Sequence, residues 1–85
     1  MTKRKINIFG TSGSIGQSTL NVLRERKNSY DFIAFSAFNN VDQLIADCLE
    51  FRPQYANIGN ERHFLKLKNA LFDTDIVLSF GKNSL

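Results

Sequence analysis

Ile6-Asn7-Ile8-Phe9-Gly10-Thr11-Ser12-Gly13-Ser14-Ile15-Gly16, residues 6–16, is a short apolar run that passes straight into a turn punctuated by glycines. A strand that ends in a glycine-rich corner and opens a helix is where α/β proteins hold a nucleotide phosphate. The spacing is G-x-x-G-x-x-G rather than the commoner G-x-G-x-x-G. Gly10 tolerates the positive φ of a sharp turn. Gly13 lets a diphosphate approach the backbone, and Gly16 lets the following helix pack closely on the strand. The N–H groups of Ser14, Ile15 and Gly16 open that helix and point at the anion, aided by the helix dipole. Ser12 and Ser14 add hydroxyl donors. The competing reading of the same residues is a tight turn of small side chains with no ligand.

Outward from this corner, β-rich runs alternate with helical ones. Residues 5–9 read as a first strand and residues 14–26 as a helix. Ile15, Thr19, Leu20, Val22 and Leu23 supply its apolar side, and Arg24, Arg26 and Lys27 favour its carboxyl end. After a turn at Asn28-Ser29, residues 31–37 form a second strand, whose unbroken Phe32-Ile33-Ala34-Phe35 suits burial on both faces. Asn40 is a good helix cap, and Gln43 three residues on completes a capping-box-like pair. The helix it opens runs to Phe51, burying Val41, Leu44, Ile45, Cys48 and Leu49, and Pro53 stops it. A third strand at residues 55–58 leads through Gly59-Asn60, a turn with a cap, into a helix over residues 61–72. Phe64, Leu65, Leu67 or Lys68, and Leu71 form the inner side of that helix. Residues 75–79 read as a fourth strand, and residues 81–85 carry no clear signal.

This alternation predicts an α/β chain of parallel strands joined by right-handed crossovers. It is the first half of a doubly wound, Rossmann-like sheet in the order β-α-β-α-β-α-β. A fourth strand of the Ile76-Val77-Leu78 kind is expected mid-sheet and covered on both sides, so a chain stopping there leaves apolar edge and face exposed. Residues 1–85 are accordingly expected to be one partial, truncated domain, the amino-terminal portion of something larger.

Composition narrows the field. With 85 residues, 42% of them hydrophobic and eight of them phenylalanine, the chain supports one small core and is not disordered throughout. The formal charge is +3, much of it in Lys3-Arg4-Lys5 at the terminus. No basic stripe interleaved with aromatics supports nucleic-acid binding. No apolar run approaches the roughly 18 residues of a membrane span, and no apolar stretch follows the basic terminus as a secretory signal requires. Cys48 is the only cysteine, which excludes an internal disulfide and suits a reducing compartment. A cytoplasmic location is the expectation.

The run from Ile8 to Val22 (Ile-Phe-Gly-Thr-Ser-Gly-Ser-Ile-Gly-Gln-Ser-Thr-Leu-Asn-Val) closely resembles the opening of 1-deoxy-D-xylulose 5-phosphate reductoisomerases, whose hallmark is G-[ST]-T-G-S-I-G-x-S-T-L-x-V. The Ser-Thr-Leu extension after the glycines is far more specific than the glycines themselves. The likeness continues through Ile33-Ala34-Phe35 and Cys48-Leu49-Glu50-Phe51-Arg52-Pro53-Gln54-Tyr55-Ala56, covering residues 5–60 well. What the resemblance implies is an NADP-dependent oxidoreductase of the non-mevalonate isoprenoid pathway. That family rearranges its phosphorylated sugar substrate and reduces it with NADPH to 2-C-methyl-D-erythritol 4-phosphate, using a divalent metal, Mg or Mn, and acting as a homodimer. The resemblance further implies that Ser12, Gly13, Ser14 and Ile15 contact the cofactor, mostly at its pyrophosphate. The family's second cofactor patch, usually A-G-x-N, falls on Ala37-Phe38-Asn39-Asn40 and makes Phe38, Asn39 and Asn40 cofactor-binding candidates. Asn40 agrees with that pattern. Phe38 stands where glycine is usual, and Asn39 where a basic or small polar residue is common.

The residues speak to the cofactor independently. An NAD-specific domain places Asp or Glu about 20 residues beyond the glycines to hold the ribose 2′-hydroxyl. Here Phe35-Ser36-Ala37-Phe38-Asn39-Asn40 holds no carboxylate, while Ser36, Asn39 and Asn40 are able to donate to a phosphate. NADP is favoured over NAD. Asn40 has an equal and compatible reading as a helix cap.

Nothing in these residues performs the chemistry. His63 is the sole histidine and reads as an exposed side chain; Asp73 and Asp75 read as a solvated pair rather than metal ligands; Cys48 reads as a small core residue. In the resembled family the metal and substrate-phosphate residues lie beyond position 85, so this stretch alone is expected to be inactive. Two other readings stay open. One is a fragment of a different NAD(P)-dependent oxidoreductase, such as a semialdehyde dehydrogenase or an extended short-chain dehydrogenase. Its catalytic Cys or Tyr-x-x-x-Lys is not supplied here. The other is a decayed nucleotide-binding remnant without catalysis.

Overall fold

The computed structural model describes residues 3–10 and 14–81. Four strands alternate with three helices: β1 (Arg4–Phe9), α1 (Ser14–Arg24), β2 (Tyr30–Ala37), α2 (Val41–Phe51), β3 (Tyr55–Ile58), α3 (Phe64–Ala70) and β4 (Val77–Phe80). Short 3-10 turns at Lys27–Ser29 and Glu61–His63 precede β2 and α3. All strand pairs are parallel, and the strand order is β1-β2-β3-β4. The α/β class and the strand–helix alternation stand as expected. Among the described residues β4 pairs with β3 at the edge of the sheet, the exposed edge expected of a partial domain. Crossovers that step the same way across a sheet with the usual right hand set all their helices on one face. A single core results, joining Leu20 and Leu23 of α1, Leu44, Cys48 and Phe51 of α2, and Leu67 of α3 to Ile8, Phe35, Ala56 and Ile58 of the sheet. The opposite face presents Asn7, Phe9, Ile33, Tyr55, Val77 and Ser79.

Strand β2 does not keep simple alternation. Its pairing with β1 slips between Ile6 and Asn7, so Ile6 faces Phe32 while Asn7 faces Ala34. The extra residue turns Phe32 and Phe35, three apart in sequence, toward the helices together. Both rings then meet Phe51, at 5.0 and 6.0 Å between centroids. A β-bulge of this kind changes which face later side chains take.

Helix α2 begins and ends for the reasons read from sequence. The Asn40 side chain accepts a hydrogen bond from Gln43 N–H at 3.2 Å. The reciprocal half of the capping box is absent, because the Gln43 side chain donates to Asp47 instead. At the other end Arg52, with φ 54°, closes the helix on the Cys48 carbonyl just before Pro53.

The inner sides of the other helices need correction. Among the described large apolar residues of α1, Leu20 and Leu23 are buried, whereas Ile15 and Val22, 84% and 74% exposed, lie seven residues apart on its outer stripe. Leu49 of α2 is exposed as well, and α3 turns Phe64, Leu67 and Leu71 inward while leaving Leu65 outside. Asp47, read as part of no core, is buried between α1 and α2. Its carboxylate accepts from Gln17 at 2.9 Å and Gln43 at 3.1 Å. Around Phe51 the charges are paired more openly. Arg24 holds Glu50 through two nitrogens while its guanidinium lies 5.5 Å above the Phe51 ring.

Candidate functional site

The candidate residues among those described lie at the carboxyl ends of β1 and β2, where parallel sheets receive ligands. Phe9, the last residue of β1, is in register with Ser36 of β2, so the glycine corner and the patch after β2 are neighbours across one strand spacing. Gly10 has φ 70°, the left-handed conformation expected of it, and a side chain there would meet no described atom within 4 Å. Its N–H donates to the Ser36 hydroxyl at 3.3 Å, which fixes the turn to the next strand. Ser36 is thus engaged on the protein's own backbone. Ser12 and Gly13 lie outside the described residues. Ser14 and Ile15 open α1, and Gly16 behind them is buried, as close helix–strand packing requires. Ile15 points outward beside a shallow groove formed with Asn7, Phe9, Gly10 and Thr19.

The second patch is held by both the β2 and β3 turns. Backbone bonds from Gly59 N–H to the Ala37 carbonyl and from Asn60 N–H to the Phe38 carbonyl, both 2.8 Å, continue the ladder past the strand ends. The Asn60 amide nitrogen donates to the Asn39 side-chain oxygen at 2.8 Å, and Asn60 in turn caps the turn ahead of α3 by accepting from Arg62 N–H. Using their side-chain oxygens in this way leaves Asn39 and Asn40 with amide N–H groups to donate outward. Phe38 is 56% exposed. The contribution of Gly59 and Asn60 was not legible beyond "turn with a cap", because the tie to Asn39 spans 21 positions.

The turn after β2 carries no charge of its own. No carboxylate lies between Ser36 and Asn40, and the nearest one in sequence, Asp42, is held by Lys66 Nζ at 2.6 Å. The ionisable groups with displaced pKa values sit elsewhere. Burial raises Asp47, against the opposing pull of its bonds from Gln43 and Gln17. The hydrogen bond from Arg24 holds Glu50 below the usual carboxylate range. Burial pushes the Cys48 thiol up to about 12, which marks it as an inert core group. Among the described residues no group of three or more His, Cys, Asp or Glu could hold a metal ion.

Comparison with known proteins adds a family. A sequence model described as 1-deoxy-D-xylulose 5-phosphate reductoisomerase matches residues 6–85. Proteins of that name from Ruegeria sp. (strain TM1040) and Phocaeicola vulgatus are 35% and 37% identical to this chain, over 100% and 98% of its length. The chain spans 22% of each of those relatives. Among solved structures, the 1-deoxy-D-xylulose 5-phosphate reductoisomerase from Zymomonas mobilis in complex with NADPH is similar with a TM-score of 0.90 and 29% identity, covering 94% of this chain and 21% of that one. A DOX-P reductoisomerase in complex with NADPH, fosmidomycin and magnesium gives a TM-score of 0.85 and 31% identity, covering 93% of this chain and 20% of that one.

Proposed function

This chain belongs to the 1-deoxy-D-xylulose 5-phosphate reductoisomerase family, and we propose that residues 1–85 form the NADPH-binding part of such an enzyme, a partial Rossmann-like domain. The observation that carries the proposal is Gly10. Its positive φ turns the chain sharply at the end of β1, and no described atom lies within 4 Å of where a side chain would stand, which supports access of a diphosphate to the backbone there. The residues fit the group. The first N–H groups of α1 have no intrahelical acceptors and offer donors to the anion. Ser12, Gly13, Ser14 and Ile15 hold the diphosphate; Phe38, Asn39 and Asn40 hold the adenosine end.

The 2′-phosphate reading rests on chemistry at the end of β2. No carboxylate there repels it, Asp42 is neutralised by Lys66, and Asn39 and Asn40 offer donors. Bound NADPH supplies a hydride to the carbonyl carbon of the rearranged sugar phosphate. What these residues do is bind and orient the cofactor, not move the hydride or a proton. A divalent metal, a phosphorylated sugar substrate, a homodimeric assembly and a cytoplasmic location complete the reading. The metal finds no ligand cluster among the described residues, so no step is derived through it. No helix among the described residues is long and apolar enough to cross a membrane.

The test is titration of the purified chain with NADPH and NADH, followed by cofactor fluorescence and calorimetry. Saturable binding that is tighter for NADPH is expected, with no product from 1-deoxy-D-xylulose 5-phosphate on addition of magnesium. Absence of saturable NADPH binding would refute the cofactor reading; turnover by residues 1–85 alone would refute the division of labour.

A further inference from the structure

Phe38 is the least expected side chain at this site. It directly follows β2, the place where dinucleotide folds seat the adenosine ribose, yet it is a large aromatic left 56% exposed. Its position is fixed from beneath. A Cβ on Gly59 would stand 2.4 Å from Phe38 Cδ1, 3.1 Å from Cε1 and 3.2 Å from Cα. The ring therefore rests in the space that only a glycine at position 59 leaves. Backbone bonds on either side, from Gly59 N–H to Ala37 and from Asn60 N–H to Phe38, lock the two turns together, and the Asn60–Asn39 side-chain bond ties them again. The ring is held on one edge by protein and bare over much of the rest.

We propose that Phe38, seated on Gly59, is the stacking platform for the adenine ring of the bound dinucleotide. The inference rests on the cofactor reading above and goes further, in assigning the base to this ring. Adenine is carried on the sugar carbon next to the one bearing the 2′-phosphate. A ribose whose 2′-phosphate meets the Asn39 and Asn40 amides therefore brings its base to the adjacent side chain, and Phe38 is that neighbour. A purine face on a phenyl ring is sequence-tolerant, apolar and independent of charge. It offers affinity at a patch where no lysine or arginine stands among Phe38, Asn39 and Asn40.

The experiment compares NADPH, adenosine 2′,5′-bisphosphate and reduced nicotinamide mononucleotide as probes of the purified chain and its variants. Base–aromatic stacking at a partly open site corresponds to a loss of about five- to tenfold in affinity. Phe38→Ala and Phe38→Leu are expected to lose that much for NADPH and for the bisphosphate, while the mononucleotide, which has no adenine, is unaffected. Phe38→Tyr keeps the aromatic face and is expected to stay within about twofold of the parent, below the stacking range. Gly59→Ala displaces the ring and is expected to weaken NADPH similarly, but to add little in the Phe38→Ala background, the non-additivity of two residues acting through one contact. Circular dichroism confirms that each variant is folded. If the parent binds NADPH and Phe38→Ala binds it equally well, or if the mononucleotide loses as much, the platform is overturned and the cofactor reading survives. If the parent binds none of the probes, both fall.

Discussion

Replacing Gly10 separates two demands made on one residue, conformation and empty space. At φ 70° an L side chain is strained by about 1–2 kcal/mol. Alanine also narrows the unfolded ensemble, which offsets about 0.4–1 kcal/mol of that. No steric term is added from the described residues, none of whose atoms comes within 4 Å of the new Cβ. Gly10→Ala is therefore expected to cost about 1 kcal/mol, a fall of about 4–8 °C in midpoint for a domain of this size. Asparagine enters the left-handed region more readily, so Gly10→Asn is expected to lose less than half as much. Thermal unfolding followed by far-ultraviolet circular dichroism reads both, which suits a chain without tryptophan. On the proposed cofactor reading the same methyl group stands where the diphosphate approaches the backbone, so NADPH affinity is expected to fall further than stability does. Equal losses for Ala and Asn would show that the positive φ is not what glycine supplies. A loss above about 3 kcal/mol would exceed the strain of a positive φ and show a clash that the described surroundings of Gly10 do not contain.

Other outcomes follow from the helices behind the site. Asn40→Ala removes the α2 cap and is expected to cost about 1 kcal/mol, whereas Asn40→Asp keeps the acceptor and the stability; paired melting curves decide it. Cys48, with its thiol raised to about 12 by burial, should resist a maleimide at neutral pH and react only as fast as the chain opens. The two carboxylates of α2 should respond to pH with opposite signs. Glu50 is lowered in the folded state, so its stabilisation is complete above the unfolded value and is lost as pH falls through the folded one. Asp47 is raised, so its contribution is greatest in acid and declines as pH rises through the folded value. Melting points from pH 3 to 7 should therefore climb less steeply in Glu50→Gln than in the parent and more steeply in Asp47→Asn; a reversed order would refute the assignment.

What was legible in the sequence was local. The Gly10 turn, the Asn40 cap and the Pro53 stop rest on interactions within a few residues, and each is present; β3 was legible as well, from its short apolar run closed by Gly59. What was not legible depends on partners far away. The bulge in β2 exists because Phe32 and Phe35 both reach Phe51, a demand invisible inside the uniform run Phe32-Ile33-Ala34-Phe35. Ile15 and Val22 fit the apolar side of a helix by composition, but the sheet meets only the stripe of Leu20 and Leu23. Asp47 had one readable clue, a glutamine four residues earlier on the same helix, while its second partner Gln17 is 30 positions away. At the site, the motif gave the corner and the patch after β2 but not the Gly59–Asn60 turn that supports the patch.

That supporting turn has a consequence for how such a site tolerates change. An anion site that relies on a lysine or arginine takes its affinity from charge, and such affinity weakens as salt screens it. The patch here presents amides and an aromatic ring, all of them neutral, and its geometry depends on two chain segments bonded together past the ends of β2 and β3. Its affinity should then vary little with ionic strength, apart from the diphosphate held at the opening of α1. It should instead be sensitive to substitutions at Gly59 and Asn60, which need not touch the cofactor. A large ring at position 38 is workable in this fold because Gly59, on the neighbouring strand end, leaves the room that the ring takes.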